Sequence, residues 1–262
     1  TVTNVGGVDT GILQASDVVI YGEKPIFGVV GSTPPHLQKP EDAGKLREIG
    51  ELLIDTGYKK EELEKLVRVG FAPKYSTLAG GQIAGKGFDD KSCAACAVEG
   101  IRRAGDRLAG DVYLMLSSRE ETGRIAGGAL TGAYGVDPDY AFVADVNLGR
   151  TPYTKKNETV EVGGGVSLTL CPVTDKKLTK MTIELAKEKG IKYQLDVTGG
   201  GTGTNTPDIN LTRAGIPCVD AGIPLKCMHT CAEVIDLADA EALASLVCEF
   251  VSSEKIAEVF AR

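Results

Sequence analysis

The sequence lacks several features that would place it in a specialised class of protein. None of its 262 residues is tryptophan and only two are histidine. Its apolar runs, such as residues 112–116, fall far short of the ~20 residues that a membrane-spanning helix needs. No basic block occurs, and 36 acidic against 29 basic side chains give a net charge of −7. We therefore expect neither a membrane nor a nucleic acid as a partner.

Seven cysteines occur, but their number and placement do not indicate disulfide bonds. An odd count in a chain of this length favours buried free thiols in a reducing compartment, so we expect a cytoplasmic protein. Cys93 and Cys96 have the spacing of a redox or zinc pair. A zinc ribbon needs a second pair at matching spacing, whereas Cys227 and Cys231 stand four apart in a predicted loop. We interpret Cys93 and Cys96 as core residues of a helix.

The pattern of predicted elements changes near residue 85. Residues 1–85 contain short β-type runs broken by Gly, Pro and Asp, with a helix predicted over 40–53 and a second candidate over 59–69. They predict a small β-rich domain, barrel-like or a sandwich. Residues 86–262 alternate strands and helices, which predicts an α/β fold, a mixed sheet with helices on both faces. The sequence thus predicts two domains, 1–85 and 86–262.

Within the second domain, hydrophobic spacing and capping residues define the expected elements. Helices are predicted over 89–103, 175–189, 206–213 and 238–260. Strands are predicted over 111–117, 141–146, 166–171, 192–197 and 217–223. Asp175 is the expected N-cap of its helix and Gly190 the stop signal. Ser252 and Ser253 predict a break in the last helix.

Acidic and imidazole side chains recur where predicted strands end or a helix begins, and α/β sheets carry their sites at such ends. The candidates are Asp89, Glu120, Glu121, Asp145 and His229. Gathered carboxylates repel one another unless cations neutralise them. Mixed carboxylate and imidazole ligands suit zinc, cobalt or manganese, and co-catalytic hydrolases use two such ions. One of two adjacent glutamates can then bind metal while the other acts as general base.

Each of these residues also has a simpler interpretation. Asp89 or Asp90 in front of a helix is a good N-cap. An isolated glutamate is most often a solvated loop charge, and His229 by itself is more often a partly buried histidine than a ligand. The residues alone leave both interpretations open.

Several segments together resemble the glutamyl aminopeptidase family, the tetrahedral aminopeptidases, some of whose members carry an older endoglucanase or cellulase label. The similar segments follow the family's order along essentially the whole chain. They are residues 28–37, 87–91, 118–123, 144–146, 198–205, 215–217 and 223–236.

The resemblance implies a dinuclear metallo-aminopeptidase that removes N-terminal residues from peptides, with two zinc or cobalt ions, or manganese. It implies that Asp89 bridges both metals, that Glu121 and His229 complete one metal site, and that Asp145 joins the other. Glu120 would be the general base that activates the attacking water. It also implies a cytoplasmic homo-oligomer, a large and often dodecameric particle, assembled through the small domain.

Three departures from the family's pattern bear on these expectations. The family has a further metal-binding His in a His-x-Asp motif upstream of the small domain, and the sequence has none, since His36 matches a different segment. Asn205 and Phe71 stand where the family commonly has Asp. The sequence opens at Thr1 without methionine, so we expect a truncated chain that lacks about 60–80 family residues, including the first strands of the catalytic sheet.

Two alternatives stand beside the metallo-aminopeptidase. One is another hydrolase: a co-catalytic deacylase or carboxypeptidase, or the glycosidase of the older label, which needs paired carboxylates without metal. The other is a non-catalytic or inactive truncated subunit, which the missing upstream His favours. Activity that resists EDTA would indicate the glycosidase.

Overall fold

The computed structural model of the chain describes residues 2–38, 45–63, 67–122 and 127–261. It divides into two compact units. One comprises Thr1–Lys74 and His229–Ala232, and the other comprises Tyr75–Met228 and Glu233–Arg262. The predicted domain boundary near residue 85 stays a prediction.

The described strands of the first unit are β1 (Asp17–Tyr21), β2 (Pro25–Val30), β3 (Ile54–Asp55) and β4 (Arg68–Phe71). They form an antiparallel sheet in the order β3-β2-β1-β4. Val18, Val30 and Leu52 form its core, and β-branched residues suit such a pleated, half-buried surface. Among the described residues the ladder ends at β3 and at β4, so this β-rich unit is an open sheet and not a closed barrel.

Both helices predicted in the first unit are wrong where the structure describes them. Between residues 45 and 53 only a 3₁₀ turn forms, Ile49–Glu51; residues 40–44 lie outside the described residues. Gly50 lies within this turn, and glycine costs a helix about 1 kcal/mol relative to alanine. Over 59–69, the 3₁₀ turn Lys60–Glu62 is followed by β4, because pairing with β1 overrides the helical pattern; residues 64–66 lie outside the described residues.

In the part of the chain that the structure describes, the second unit contains two sheets and six α-helices. The strands are β5 (Tyr75–Thr77), β6 (Gln82–Gly85), β7 (Ala141–Leu148), β8 (Val166–Leu170), β9 (Tyr193–Val197), β10 (Cys218–Leu225) and β11 (Glu233–Asp236). The helices are α1 (Phe88–Ala104), α2 (Gly128–Val136), α3 (Lys176–Glu188), α4 (Thr206–Asn210), α5 (Leu237–Val251) and α6 (Glu254–Phe260). The main sheet, β7-β10-β8-β9, is mixed as predicted, and β11-β6-β5 form a small antiparallel sheet.

Strand β10 lies at the centre of the main sheet, and all eight of its residues are buried. Val219, Ala221 and Ile223 pack in the core that α1, α3 and α5 cover, whereas Cys218 packs in a second core with residues of α2 and α4. A strand that is covered on both faces has a sequence that is apolar along most of its length. The prediction of helices on both faces is therefore confirmed.

The capping residues of the second unit behave as predicted. The Asp175 carboxylate accepts the backbone N–H of Leu178 at 2.7 Å, and Gly190 has a left-handed φ of +66° where α3 ends. The last helix breaks at the two serines, and Ser253 caps α6. Cys93 and Cys96 are free and buried on α1, which confirms their interpretation as core residues. Among the described residues, no helix is both long enough and apolar enough to cross a membrane.

The strand predicted over residues 111–117 is wrong. The segment carries a strand-like apolar pattern but pairs with no strand in the part of the chain that the structure describes. A strand requires a neighbouring ladder that satisfies its backbone groups. Among the described residues, β7 is an edge strand of the main sheet, and segment 111–117 does not pair with it. Outside any sheet, Tyr113 and Leu116 are each 67% exposed. The predicted helix over 206–213 is also shorter, since α4 ends at Asn210.

Candidate metal centre

The beginning of α1 places two adjacent carboxylates in the second unit. Gly87 precedes them with a φ of +74°, a left-handed conformation that favours glycine. Asp89 and Asp90 have non-helical backbone angles, and the peptide bond between them is cis. The buried carboxylate of Glu233 on β11 accepts the backbone N–H groups of Phe88 at 2.7 Å and of Asp89 at 3.3 Å. A second element therefore holds this end of the helix in place.

The two oxygens of Asp90 have different surroundings. The backbone N–H and the thiol of Cys93 donate to the carboxylate, which makes Asp90 a cap of the regular part of α1. Its Oδ1 is buried and has no hydrogen-bond partner among the described residues. Burial is the main cause that raises the pKa of Asp90 to about 7, and the charges of Asp89 and Glu120 add to it.

The 3₁₀ turn Glu120–Thr122 brings two more carboxylates to the same place. A carboxylate oxygen of Glu121 lies within 4.8 Å of one of Asp89, and the two side chains share a hydrogen bond. Partial loss of hydration raises the pKa of Glu121 to about 8, with further contributions from the negative charges of Asp89, Glu120 and Glu233. Glu120 and Glu121 thus belong to one group of interacting acids.

Asp145 lies on β7 and is only 9% exposed. Its Oδ1 accepts the backbone N–H of Val146 at 2.8 Å. The partner position on β10 is Gly222, where an added Cβ would lie 1.9 Å from the Asp145 carbonyl oxygen, so the strands approach closely here. Burial raises the pKa of Asp145 to about 9, and the largest charge effect on it comes from Asp90.

We call Asp89, Asp90, Glu120, Glu121 and Asp145 the acidic cluster. All five line one cavity of about 1030 Å³ in the second unit, together with the unpaired segment 111–117. Asn205 also lines this cavity, and its amide donates to the Ser117 hydroxyl at 2.9 Å. Phe71, the other departure from the family pattern, lies on β4 of the first unit.

His229 lies in the loop between β10 and β11. The base of the loop is closed by two backbone hydrogen bonds of 3.0 Å between Lys226 and Val234. His229 has a left-handed φ of +61°, and the short segment His229–Ala232 belongs to the first unit. Its participation in a metal site stays a prediction.

The acidic cluster fits a divalent cation. A buried carboxylate oxygen without a donor, as at Asp90, needs another source of positive charge or a donor. Burial and neighbouring acids raise the pKa values of Asp90, Glu121 and Asp145, so a bound cation would favour the ionised form of each. Oxygen ligands, with or without an imidazole, are compatible with zinc, cobalt or manganese.

Asp90 and Glu233 were not among the site residues that the sequence predicted. The Asp-Asp doublet was the only available signal for Asp90, and it equally suited a simple cap. Glu233 is separated by 145 residues from the N–H that it binds, so no local pattern could reveal its role.

Comparison with known proteins identifies the family of this chain. The sequence pattern of the M42 glutamyl aminopeptidases matches residues 1–246. The chain belongs to the M42 glutamyl aminopeptidase family. It is therefore a peptidase, as the resemblance predicted, and membership of this family argues against the glycosidase alternative.

Relatives of this M42 peptidase agree with the assignment. The lysyl aminopeptidase of Pyrococcus furiosus is 30% identical over 248 residues, which are 92% of this chain and 71% of that protein. The TET aminopeptidase from the marine sediment archaeon Thaumarchaeota archaeon SCGC AB-539-E09 superposes with a TM-score of 0.87 at 29% identity, over 98% of this chain and 76% of its own. The TET1 peptidase of Pyrococcus horikoshii can assemble into a tetrahedron or a large octahedral shell. It superposes with a TM-score of 0.80 at 28% identity, and the match covers 94% of this chain and 74% of that one.

Proposed function

We propose that this M42 peptidase is a metal-dependent aminopeptidase with a dinuclear site. In this proposal Asp89 would be shared by two divalent cations, Glu121 and His229 would complete the ligands of one, and Asp145 would help to hold the other. The observation that carries it is the acidic cluster itself. Three separate elements, α1, the turn at 120–122 and β7, bring carboxylates into one cavity, where they raise one another's pKa values.

The place of His229 in this set rests on its chemistry and its position in the chain. It is one of two histidines in the sequence, and the other, His36, lies in the segment 28–37, which matches a different part of the family's pattern. The residue before it, Met228, packs against the main core of the second unit. A neutral imidazole is a common ligand for zinc and cobalt.

The proposed mechanism divides the work between the cations and the chain. Bound cations would polarise the scissile carbonyl and lower the pKa of a water toward ~7. Glu120 accepts the proton of the attacking water and passes it to the leaving amine. Glu120 suits this role because it lines the cavity. Its negative charge also contributes to the raised pKa values of Asp90, Glu121 and Asp145, so it lies near these acids.

The relatives suggest the substrate class and the assembly. The Pyrococcus furiosus relative is a lysyl aminopeptidase, and we propose peptides with a free N-terminus as substrates. TET1 of Pyrococcus horikoshii forms dodecamers and larger shells, and we propose a homo-oligomer assembled through the small β-rich unit. Free cysteines agree with a cytoplasmic location.

Metal content and activity together test the dinuclear site. The protein is loaded with zinc or cobalt, freed of excess metal, and examined by elemental mass spectrometry and with aminoacyl-amide substrates. We expect two cations per chain and activity that EDTA removes. A chain that binds no cation would overturn the proposal and favour a non-catalytic subunit.

The substitution Glu120→Gln tests the general base. Removing a general base typically lowers kcat by about 10²–10⁴-fold, and we expect this loss with both cations retained. Glu121→Gln, next to it, should lose metal as well as activity. The exposed Glu188→Gln on α3 serves as the control and should behave as the wild type. Turnover that survives in the Glu120 variant would show that this role is wrong.

A further inference from the structure

Glu233 on β11 is a buried acid, only 3% exposed. One of its oxygens, Oε2, accepts the backbone N–H of Phe88 at 2.7 Å and that of Asp89 at 3.3 Å. Asp89 is the residue that two cations would share in the proposed function. A buried carboxylate from a distant part of the chain therefore holds the main chain of a proposed metal ligand.

These two hydrogen bonds are not those of an ordinary helix cap. A cap accepts N–H groups of the first helical turn, and Asp90 does this for the regular part of α1 by accepting the N–H of Cys93. Asp89 and Asp90 have non-helical backbone angles, so the N–H groups that Glu233 accepts lie before that regular part. The bonds fix the main chain of Asp89 itself, on which the direction of its side chain depends.

Other contacts hold the same short segment in front of the regular helix. Glu233 pairs with Gly85 in the ladder between β11 and β6, which brings its side chain to this segment. The carbonyl of Phe88 accepts the hydroxyl of Ser92 at 2.5 Å, and the ring of Phe88 packs against the main core. The residue before Asp89 is thus held through its N–H, its carbonyl and its side chain.

We infer that Glu233 is a positioning residue for the metal centre, which fixes the main chain of Asp89 through Oε2 and so directs the Asp89 carboxylate. The inference rests on the proposed dinuclear function and adds to it a residue that acts on a ligand without binding a cation itself. Glu233 is also the first residue of β11, the strand that follows the loop with His229. One carboxylate therefore joins that strand to the segment that carries Asp89.

Three substitutions separate the reach of the Glu233 side chain from its charge and its bulk. Glu233→Gln keeps the length and an oxygen acceptor but removes the charge. Glu233→Asp keeps the charge but is one methylene shorter, which withdraws the oxygens from both N–H groups. Glu233→Met keeps length and bulk with only a weak acceptor.

The readouts follow the metal and the main chain separately. They are zinc affinity by competition with a chelator, the visible absorption spectrum of the cobalt-loaded protein, and hydrogen exchange at the N–H groups of Phe88 and Asp89 in the metal-free protein. Elemental mass spectrometry gives the number of cations bound by the wild type.

We expect Glu233→Met and Glu233→Asp to bind zinc about 10–100-fold more weakly than the wild type, because groups that orient metal ligands matter by this factor. Their cobalt spectra should change, and hydrogen exchange at both N–H groups should become faster. Glu233→Gln should retain the affinity, the spectrum and the slow exchange, since an amide oxygen has two lone pairs and can accept both bonds.

Asp236→Ala is the matched control on the same strand. Asp236 is also a buried acid of β11, and it accepts the N–H of Ala238 at 2.8 Å at the start of a different helix, α5. Loss of this cap should lower the Tm, while zinc affinity and the cobalt spectrum stay those of the wild type.

The possible failures have different meanings. A wild-type chain that binds fewer than two cations overturns the dinuclear function together with this inference. If the wild type binds two cations and Glu233→Met keeps its affinity and spectrum, only the role of Glu233 is overturned. An equal loss of affinity in Glu233→Gln or in Asp236→Ala would also overturn it, because charge or overall stability would then explain the effect. If Glu233→Met does not fold, the same criteria apply to Glu233→Asp.

Discussion

Two groups of carboxylates in the second unit differ in their burial and in their surroundings. Asp239 accepts the backbone N–H groups of Gly163 at 2.6 Å and Gly165 at 2.7 Å. Asp220 accepts the hydroxyls of Thr204 and Thr206, both at 2.6 Å. We call these two aspartates, each 1% exposed, the satisfied pair. The acidic cluster, by contrast, is less buried, with Glu121 exposed, and its carboxylates line one cavity.

The contrast shows that burial alone does not mark a functional acid. Burial raises the pKa of Asp239 too, but the two N–H groups that it accepts oppose the shift. The satisfied pair holds loops in place: Asp239 the turn at 163–165, and Asp220 the glycine-rich segment before α4. In the acidic cluster, by contrast, the charges of neighbouring acids add to the rise in the pKa values of Asp90, Glu121 and Asp145, and a bound cation would favour their ionised forms.

The largest expected effect comes from breaking the satisfied pair. Asp239→Ala leaves the buried N–H of Gly165 and the partly buried N–H of Gly163 without an acceptor, and we expect a loss on the order of 4 kcal/mol in the free energy of unfolding. The loss should be the same with and without zinc, as measured by urea denaturation. Asp239→Asn keeps one acceptor and should lose less. A loss that depends on zinc would place Asp239 with the acidic cluster.

The acidic cluster should make the metal-free protein less stable as pH rises. The pKa values of Asp90, Glu121 and Asp145, about 7, 8 and 9, exceed those of unfolded carboxyls, so the folded chain binds more protons. The stability they contribute is present below about pH 4 and is lost as pH rises through these values. We expect a loss on the order of 3 kcal/mol between about pH 5 and 9, after allowing for solvent screening.

Unfolding curves across this pH range, with and without bound zinc, check the prediction. Zinc should flatten the dependence, because a bound cation favours the ionised carboxylates. Metal-free stability that increases with pH would contradict the assigned direction of these pKa shifts.

A single neutral substitution in the acidic cluster should stabilise the metal-free protein. Asp145→Asn keeps an acceptor for the Val146 N–H and removes an acid that burial disfavours. We expect a gain of about 1–2 kcal/mol near pH 7 and none near pH 4, where the carboxyl is already protonated. The same variant should lose a cation. Equal destabilisation at both pH values would mean that Asp145 is held as firmly as the satisfied pair.

The smallest effect is expected at Asn205, which borders the cavity without belonging to either group. In Asn205→Asp the Ser117 hydroxyl can donate in place of accepting, so the hydrogen bond survives. We expect a change within about 0.5 kcal/mol in metal-free stability. Differential scanning calorimetry would detect a larger change in stability. A larger loss would show that the amide N–H is required.

The elements that sequence analysis predicted well are those whose signals are local. Helix α3 carries its own cap at Asp175 and its stop at Gly190, and the serine pair marks the break between α5 and α6. The apolar residues of β10 predicted a buried strand. The segment 111–117 has an equally good strand pattern, but whether it forms a strand depends on a partner elsewhere, which no local pattern contains.

The candidate site divides in the same way. The sequence by itself determined the family, the mixed α/β class and the residue types of the proposed site, because motifs and periodicity are local properties. Only the tertiary structure decided that Glu233 holds the start of α1, that Asp90 and Asp145 line one cavity, and that Asp90 Oδ1 is buried without a partner among the described residues. Burial and charge interaction depend on residues far apart in the chain, so they arise only when helix, turn and strand come together.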